Sequence, residues 1–125
     1  MKSTREVGAL GEQLAERFLK KKKMKKVASN FCIRGGEIDL IMLDKKTLVF
    51  CEVKTRTPKS ASLGAAYEAV DRTKQLRVVR AARAYLSKNA DEIDFDDTRF
   101  DVVEIYLPEE GKKVYVRHTP DAFGA

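Results

Sequence analysis

Residues 36–56, "GEIDLIMLDKKTLVFCEVKTR", constrain the fold more than any other part of the chain. Two apolar runs flank a short charged turn, the pattern of two neighbouring strands. Folding the segment about Lys45-Lys46 sets Asp39 opposite Glu52, Glu37 opposite Lys54, Ile41 opposite Phe50 and Leu43 opposite Leu48. Side chains alternate between the faces of a strand, so these eight share one face. Ile38, Leu40, Met42, Val49, Cys51 and Val53 fall on the other, which is wholly apolar. The charges therefore gather at the open end of the hairpin. Lys-Lys is not the pair that a two-residue turn favours, and a single bulge would shift the opposition by one residue.

Opposed side chains on neighbouring strands have Cβ atoms about 5 Å apart. Two carboxylates at that separation repel, the more so when partly buried. A divalent cation between Asp39 and Glu52 relieves the repulsion, and hard carboxylate oxygens suit Mg²⁺. Lys54 emerges on the same face, about 7 Å beyond Glu52. Two carboxylates, a cation and a lysine can hydrolyse a phosphodiester, with the lysine stabilising developing charge. The competing reading is a salt-bridged hairpin, Glu37 with Lys54 and Glu52 with Arg34 or Arg56, of little energetic weight. Against it, Glu52 interrupts the apolar run "VFCEV", where burying a carboxylate without a role is costly.

The remaining chain supplies a sheet and two helices. Ser3 and Glu6 match a capping box, and a helix is predicted over 5–22 with Val7, Leu10, Leu14 and Phe18 on one face, Ala15 and Leu19 beside them and Glu12 at the border. Strands are predicted over 27–34, 37–43, 48–55, 98–107 and 112–118, and a loop over 56–65. Asp71 caps a helix over 72–88 whose apolar side is Val78, Ala81, Ala82, Tyr85 and Leu86. The tail from Thr119 carries no pattern. Three strands, a helical crossover and further strands make an α/β domain with a mixed sheet. At 125 residues one domain, 1–125, is expected.

Two cysteines outside any CxxC pair and a single histidine argue against zinc. Cys51 reads as a small core residue. No run reaches the ~18 apolar residues of a membrane span, and the N-terminus lacks the apolar core of a secretion signal, so a cytoplasmic protein without a membrane partner is expected. The net charge of +6 favours a polyanionic partner.

Asp39 followed by Glu52-Val53-Lys54 resembles the D…(D/E)xK signature of restriction-endonuclease-like nucleases, with Ile38 where proline is usual. Within that superfamily the chain is similar to the YraN-like family of bacterial proteins, through "GALGEQLAERFL", "GEIDLIMLD", "VFCEVKTR", "AVDRTKQ", "AARAYL" and "RFDVV". The layout also resembles archaeal Holliday-junction resolvases, which carry a further glutamate on the first helix. The resemblance implies a restriction-endonuclease-like core of order α-β-β-β-α-β-β. It also implies a site of Glu12, Asp39, Glu52 and Lys54, with Mg²⁺ or Mn²⁺ on Asp39 and Glu52 and the Val53 carbonyl as a further candidate ligand. Gln75 stands where some of these nucleases have a polar active-site residue. Glu37 is expected to be a structural partner of Lys54 or Arg34, and Asp101 to be structural.

Lys20, Lys23, Arg34, Arg56, Lys74, Arg77 and Arg80 are candidate phosphate contacts, which position nucleic acid without reading its sequence. No base-reading motif is evident, so structure-selective cutting of branched or nicked DNA is the leading expectation, with a homodimer suited to two-fold junctions. The alternatives are a catalytically inactive DNA-binding module and a basic scaffold for a protein partner.

Overall fold

The structure, a computed structural model, describes residues 3–58, 71–109 and 111–125. Its elements are α1 (Thr4–Lys21), β1 (Lys25–Ile33), β2 (Gly36–Asp44), β3 (Thr47–Arg56), α2 (Arg72–Asn89), β4 (Asp97–Tyr106) and β5 (Tyr115–Phe123), with a 3₁₀ turn at Ala90–Glu92. The helix caps form as their residue types dictate. The Ser3 hydroxyl accepts from the Glu6 N–H while the Glu6 carboxylate accepts from the Ser3 N–H. The Asp71 carboxylate accepts from the Lys74 N–H at 2.8 Å.

The strands form one five-stranded sheet in the order β1-β2-β3-β4-β5, antiparallel except for the parallel pair β3–β4. A parallel neighbour needs a long crossover, which the segment containing α2 provides. The mixed α/β sheet with flanking helices is the expected architecture and is consistent with a nuclease-like core. The β2–β3 register matches the predicted hairpin from Asp44–Thr47 through Leu40–Cys51. Lys45, in the turn, takes φ 57°.

A helix packs on each face. On one, Ala15 and Leu19 of α1 meet Leu40, Met42, Val49, Cys51, Val103 and Ile105. On the other, Val78, Val79, Ala81, Ala82 and Tyr85 of α2 meet Ile38, Ile41, Leu48, Phe50 and Phe100. Ile38 thus departs from the predicted face, since strict alternation would group it with Leu40. The break falls at Asp39, across from Asn30, which adopts a left-handed φ of 51° between the Ser29–Leu40 and Phe31–Ile38 pairs.

The most deeply buried line of α1 is Gly11, Ala15 and Leu19, one position round from the predicted Val7-Leu10-Leu14-Phe18 face. The reason is Gly11. A Cβ there would lie 1.8 Å from the Thr55 hydroxyl, so glycine lets the helix sit almost on β3. The same close approach recurs at Gly36, where a Cβ would stand 2.5 Å from the Arg77 carbonyl of α2. The last strand also differs from expectation. It spans Tyr115–Phe123, so residues 112–114 precede it and the unpatterned tail belongs to it. Being an edge strand with a register break between Phe100 and Val102, it alternates in burial only over 115–119; stacking of Phe123 on Phe100, at 5.0 Å, pins its end. Most of the loop predicted over 56–65 lies outside the described residues, and β3 itself continues to Arg56. Among the described residues no helix is long and apolar enough to cross a membrane.

Candidate functional site

Beyond Leu40–Cys51 the β2–β3 ladder gives way, and a side chain takes over its bonding. The Val53 N–H donates to the Asp39 carboxylate at 2.8 Å. This bond carries Asp39 to β3 beside Glu52. The pairings of Asp39 with Glu52 and of Glu37 with Lys54, predicted from an unbroken hairpin, do not appear in the ladder; Glu37 is opposite Cys32 of β1.

Glu52 is the carboxylate whose surroundings are most unusual among the described residues. Only 2% of it is exposed. Its Oε1 lies 3.0 Å from the Lys74 ammonium, and its Oε2 is buried with no hydrogen-bond partner among the described residues. Burial and the charge of Asp39 raise its pKa to about 7, against the pull of Lys74. Asp39 is also raised, chiefly by burial, although the Val53 N–H stabilises its ionised form. Such orphaned, perturbed carboxylates cluster at functional sites.

Two lysines face these acids. Lys54 lies within hydrogen-bonding reach of Lys74, and burial together with that neighbouring charge lowers its pKa. For Lys74 burial acts downward, but the attraction of Glu52 prevails and holds the ammonium above its ordinary value. Glu12 approaches from α1. Burial and the Asp39 charge raise its pKa, and the Asn30 amide hydrogen-bonds its carboxylate. It also lines a cleft of about 220 Å³ between α1 and β1, with Gln13, Lys26, Asn30 and Leu40 among the walls. No three His, Cys, Asp or Glu side chains converge closely enough to enclose a metal by themselves among the described residues. The donors available are the two carboxylates of Asp39 and Glu52, with Glu12 further out.

Glu12, Asp39, Glu52 and Lys54, drawn from three elements, are therefore brought to one end of the sheet. Gln75 follows Lys74 on α2, and its side-chain carbonyl accepts from Arg72 at 3.1 Å. Of the candidate phosphate contacts, two are placed differently from expectation. Lys74 points into the acidic site rather than along the outer face of α2. Arg56 is only 8% exposed and pairs with Glu104 at 3.2 Å, because β3 is an interior strand and its last residue is covered by β4. Lys20 pairs with Glu16 at 2.8 Å on the surface of α1. Lys23, Arg34 and Arg80 are exposed and Arg77 half-buried. Asp101 is structural as expected. It is fully buried, it accepts from Arg99 and the Asp121 N–H, and it bonds His118 Nε2 at 2.7 Å. Burial alone would raise its pKa, but these partners outweigh burial and hold it low.

Asn30 is a site residue that sequence reasoning did not name, and Lys74 was expected only as a phosphate contact. Lys74 is one member of a basic series recurring along a helix, and nothing local marks it as the one turned inward. Asn30 carries a faint signal, since asparagine is among the residues that tolerate positive φ in an otherwise extended run.

The chain is 41% identical over 119 residues to a UPF0102 protein of Alkaliphilus oremlandii, covering 95% of this chain and 98% of that protein. It is 43% identical over 118 residues to a UPF0102 protein of Caldanaerobacter subterraneus, covering 94% and 93%. Against the UPF0102 protein YraN of Escherichia coli O157:H7 it is 43% identical over 101 residues, covering 81% and 76%. The model of the family described as "Uncharacterised protein family UPF0102" matches residues 11–105, and by these matches the chain belongs to that family.

Proposed function

We propose that this protein is a divalent-metal-dependent phosphodiesterase acting on DNA, with Asp39 and Glu52 as metal ligands and Lys54 as the cation that meets the phosphate. The observation that carries the reading is the buried Oε2 of Glu52, which has no hydrogen-bond partner among the described residues and stands beside a second raised carboxylate. Leaving an acid in that state is costly unless something else satisfies it. Mg²⁺ or Mn²⁺ fits the donor set, because Mg²⁺ commonly takes one or two carboxylates and keeps water and phosphate oxygens as its other ligands. When bound, such an ion supplies Lewis-acid polarisation of the phosphate and a more acidic water.

The chain's own residues have separable tasks. Asp39 and Glu52 supply the negative charge that draws the ion in. The Val53 N–H orients Asp39 and fixes which of its oxygens faces outward. Lys54, held with a weakened proton by burial and by Lys74, stabilises charge building on the phosphate. Glu12, on the cleft side, retains a proton more readily than an ordinary glutamate and is placed to exchange one with solvent. The exposed Lys23, Arg34 and Arg80, with Arg77, supply sequence-independent contacts to the backbone. This arrangement favours structure-selective cutting of branched or nicked DNA.

A nicking assay on branched, nicked and intact duplex DNA with Mg²⁺ or Mn²⁺ tests the proposal. Cleavage is expected to disappear in Glu52→Ala while DNA affinity is kept or rises, because a negative charge near phosphate is lost. Equal cutting by Glu52→Ala and wild type would show the site to be misassigned. DNA binding without cleavage in any metal would favour the inactive binding module, and no binding at low salt the protein scaffold.

A further inference from the structure

Glu52 presents two oxygens with opposite fates. Oε1 lies 3.0 Å from the Lys74 ammonium, and Oε2 is buried and unpartnered among the described residues. We infer that Lys74 is the built-in second cation of this site, so that Asp39 and Glu52 hold one divalent ion and not two. The inference rests on the metal-binding reading above and names the stoichiometry and charge design of that site.

Two-ion phosphodiester sites place their ions about 3.5–4 Å apart with carboxylate oxygens between them. Here one side of the shared carboxylate is already occupied by an ammonium group that the fold holds in place. The Lys74 N–H is tied to the Asp71 cap at 2.8 Å, which fixes the start of α2. One turn on, Gly36 admits the backbone of α2 to β2 at a distance no side chain would permit. Asp39 commits Oδ2 to the Val53 N–H, at 2.8 Å. The chain therefore offers Glu52 Oε2 and the outer oxygen of Asp39, a set suited to one hydrated ion. Charge balance points the same way. Lys54 and Lys74 already offset Asp39 and Glu52, so one divalent ion is enough to balance the further carboxylates near Asp39, Glu12 and Glu37, before a phosphodiester enters. A second ion would add repulsion against two adjacent ammonium groups.

The test counts Mn²⁺ ions on the full chain without DNA, by electron paramagnetic resonance and calorimetry, in alkaline buffer where Glu52 is ionised. Wild type is expected to bind one ion per chain, and Glu52→Gln to lose it. Lys74→Ala uncovers Oε1 and removes a positive charge. It should bind a second ion or hold the first about tenfold or more tightly, the weight a charge at this distance carries on a competing cation. Lys74→Arg should keep wild-type stoichiometry. Two ions on wild type, or a Lys74→Ala protein identical to wild type in count and affinity, would overturn the inference while leaving the metal site intact. No Mn²⁺ on either protein would overturn the metal reading itself, and the inference with it.

Discussion

Replacing Glu52 by glutamine should make the protein more stable at alkaline pH while removing its proposed chemistry. Burial and Asp39 raise the pKa of Glu52 to about 7 from an ordinary 4.5. Between those values the native protein keeps the proton and the unfolded chain has released it. Stability from a group raised on folding is complete below the unfolded value and is lost as pH climbs through the folded one. For this interval the loss is about 3 kcal/mol, at roughly 1.4 kcal/mol for each tenfold change in proton affinity. The protonated acid and glutamine are close in shape, but glutamine does not titrate. Urea denaturation without divalent ions should therefore find variant and wild type nearly equal near pH 4, and the variant more stable by about 2–3 kcal/mol near pH 8. Excess Mg²⁺ should then raise the stability of wild type at pH 8 and leave the variant unmoved, since a ligand stabilises only the state that binds it. A difference between the proteins that does not change with pH would refute the reasoning, because the strain on Glu52 would then not be electrostatic.

Other substitutions test the placement of neighbouring groups. Arg80→Ala should reduce the salt slope of DNA binding by about one and leave stability within about 0.5 kcal/mol, whereas Arg56→Ala should cost about 2 kcal/mol by taking from Glu104 its buried cation, with the Tyr106 hydroxyl and Arg117 remaining as partners, and should leave that slope alone. Gly11→Ala should destabilise by about 1–2 kcal/mol, overpacking against Thr55 exceeding the gain in helix propensity, and a denaturant midpoint at or above wild type would contradict the close approach of α1 to β3. Asp101→Asn should cost about 3 kcal/mol or more, since Arg99 and His118 lose a buried carboxylate, without changing Mn²⁺ binding at the site; loss of the ion would place Asp101 in the functional site.

Local pattern determined a good deal of this molecule. Turn position was enough for the β2–β3 register from Asp44–Thr47 to Leu40–Cys51, because the charged pair Lys45-Lys46 has to leave two strands that are apolar on both faces; the predicted pairs beyond it, Asp39–Glu52 and Glu37–Lys54, did not form in the ladder. Capping residues marked the starts of α1 and α2, since the orphaned N–H groups there must find acceptors nearby in sequence. The carboxylates Asp39 and Glu52 were conspicuous as charges inside apolar runs. What only the tertiary structure decided depends on contacts between distant segments. The inward turn of Lys74, the burial of Arg56 under β4, the bend at Asp39 opposite Asn30 and the rotation of α1 about Gly11 leave no local periodicity. Each follows from how closely a helix or neighbouring strand can approach. A side chain's charge is written in its own residue, but whether that charge meets water, a partner or an unfilled oxygen is settled by the packing of segments far apart in the chain.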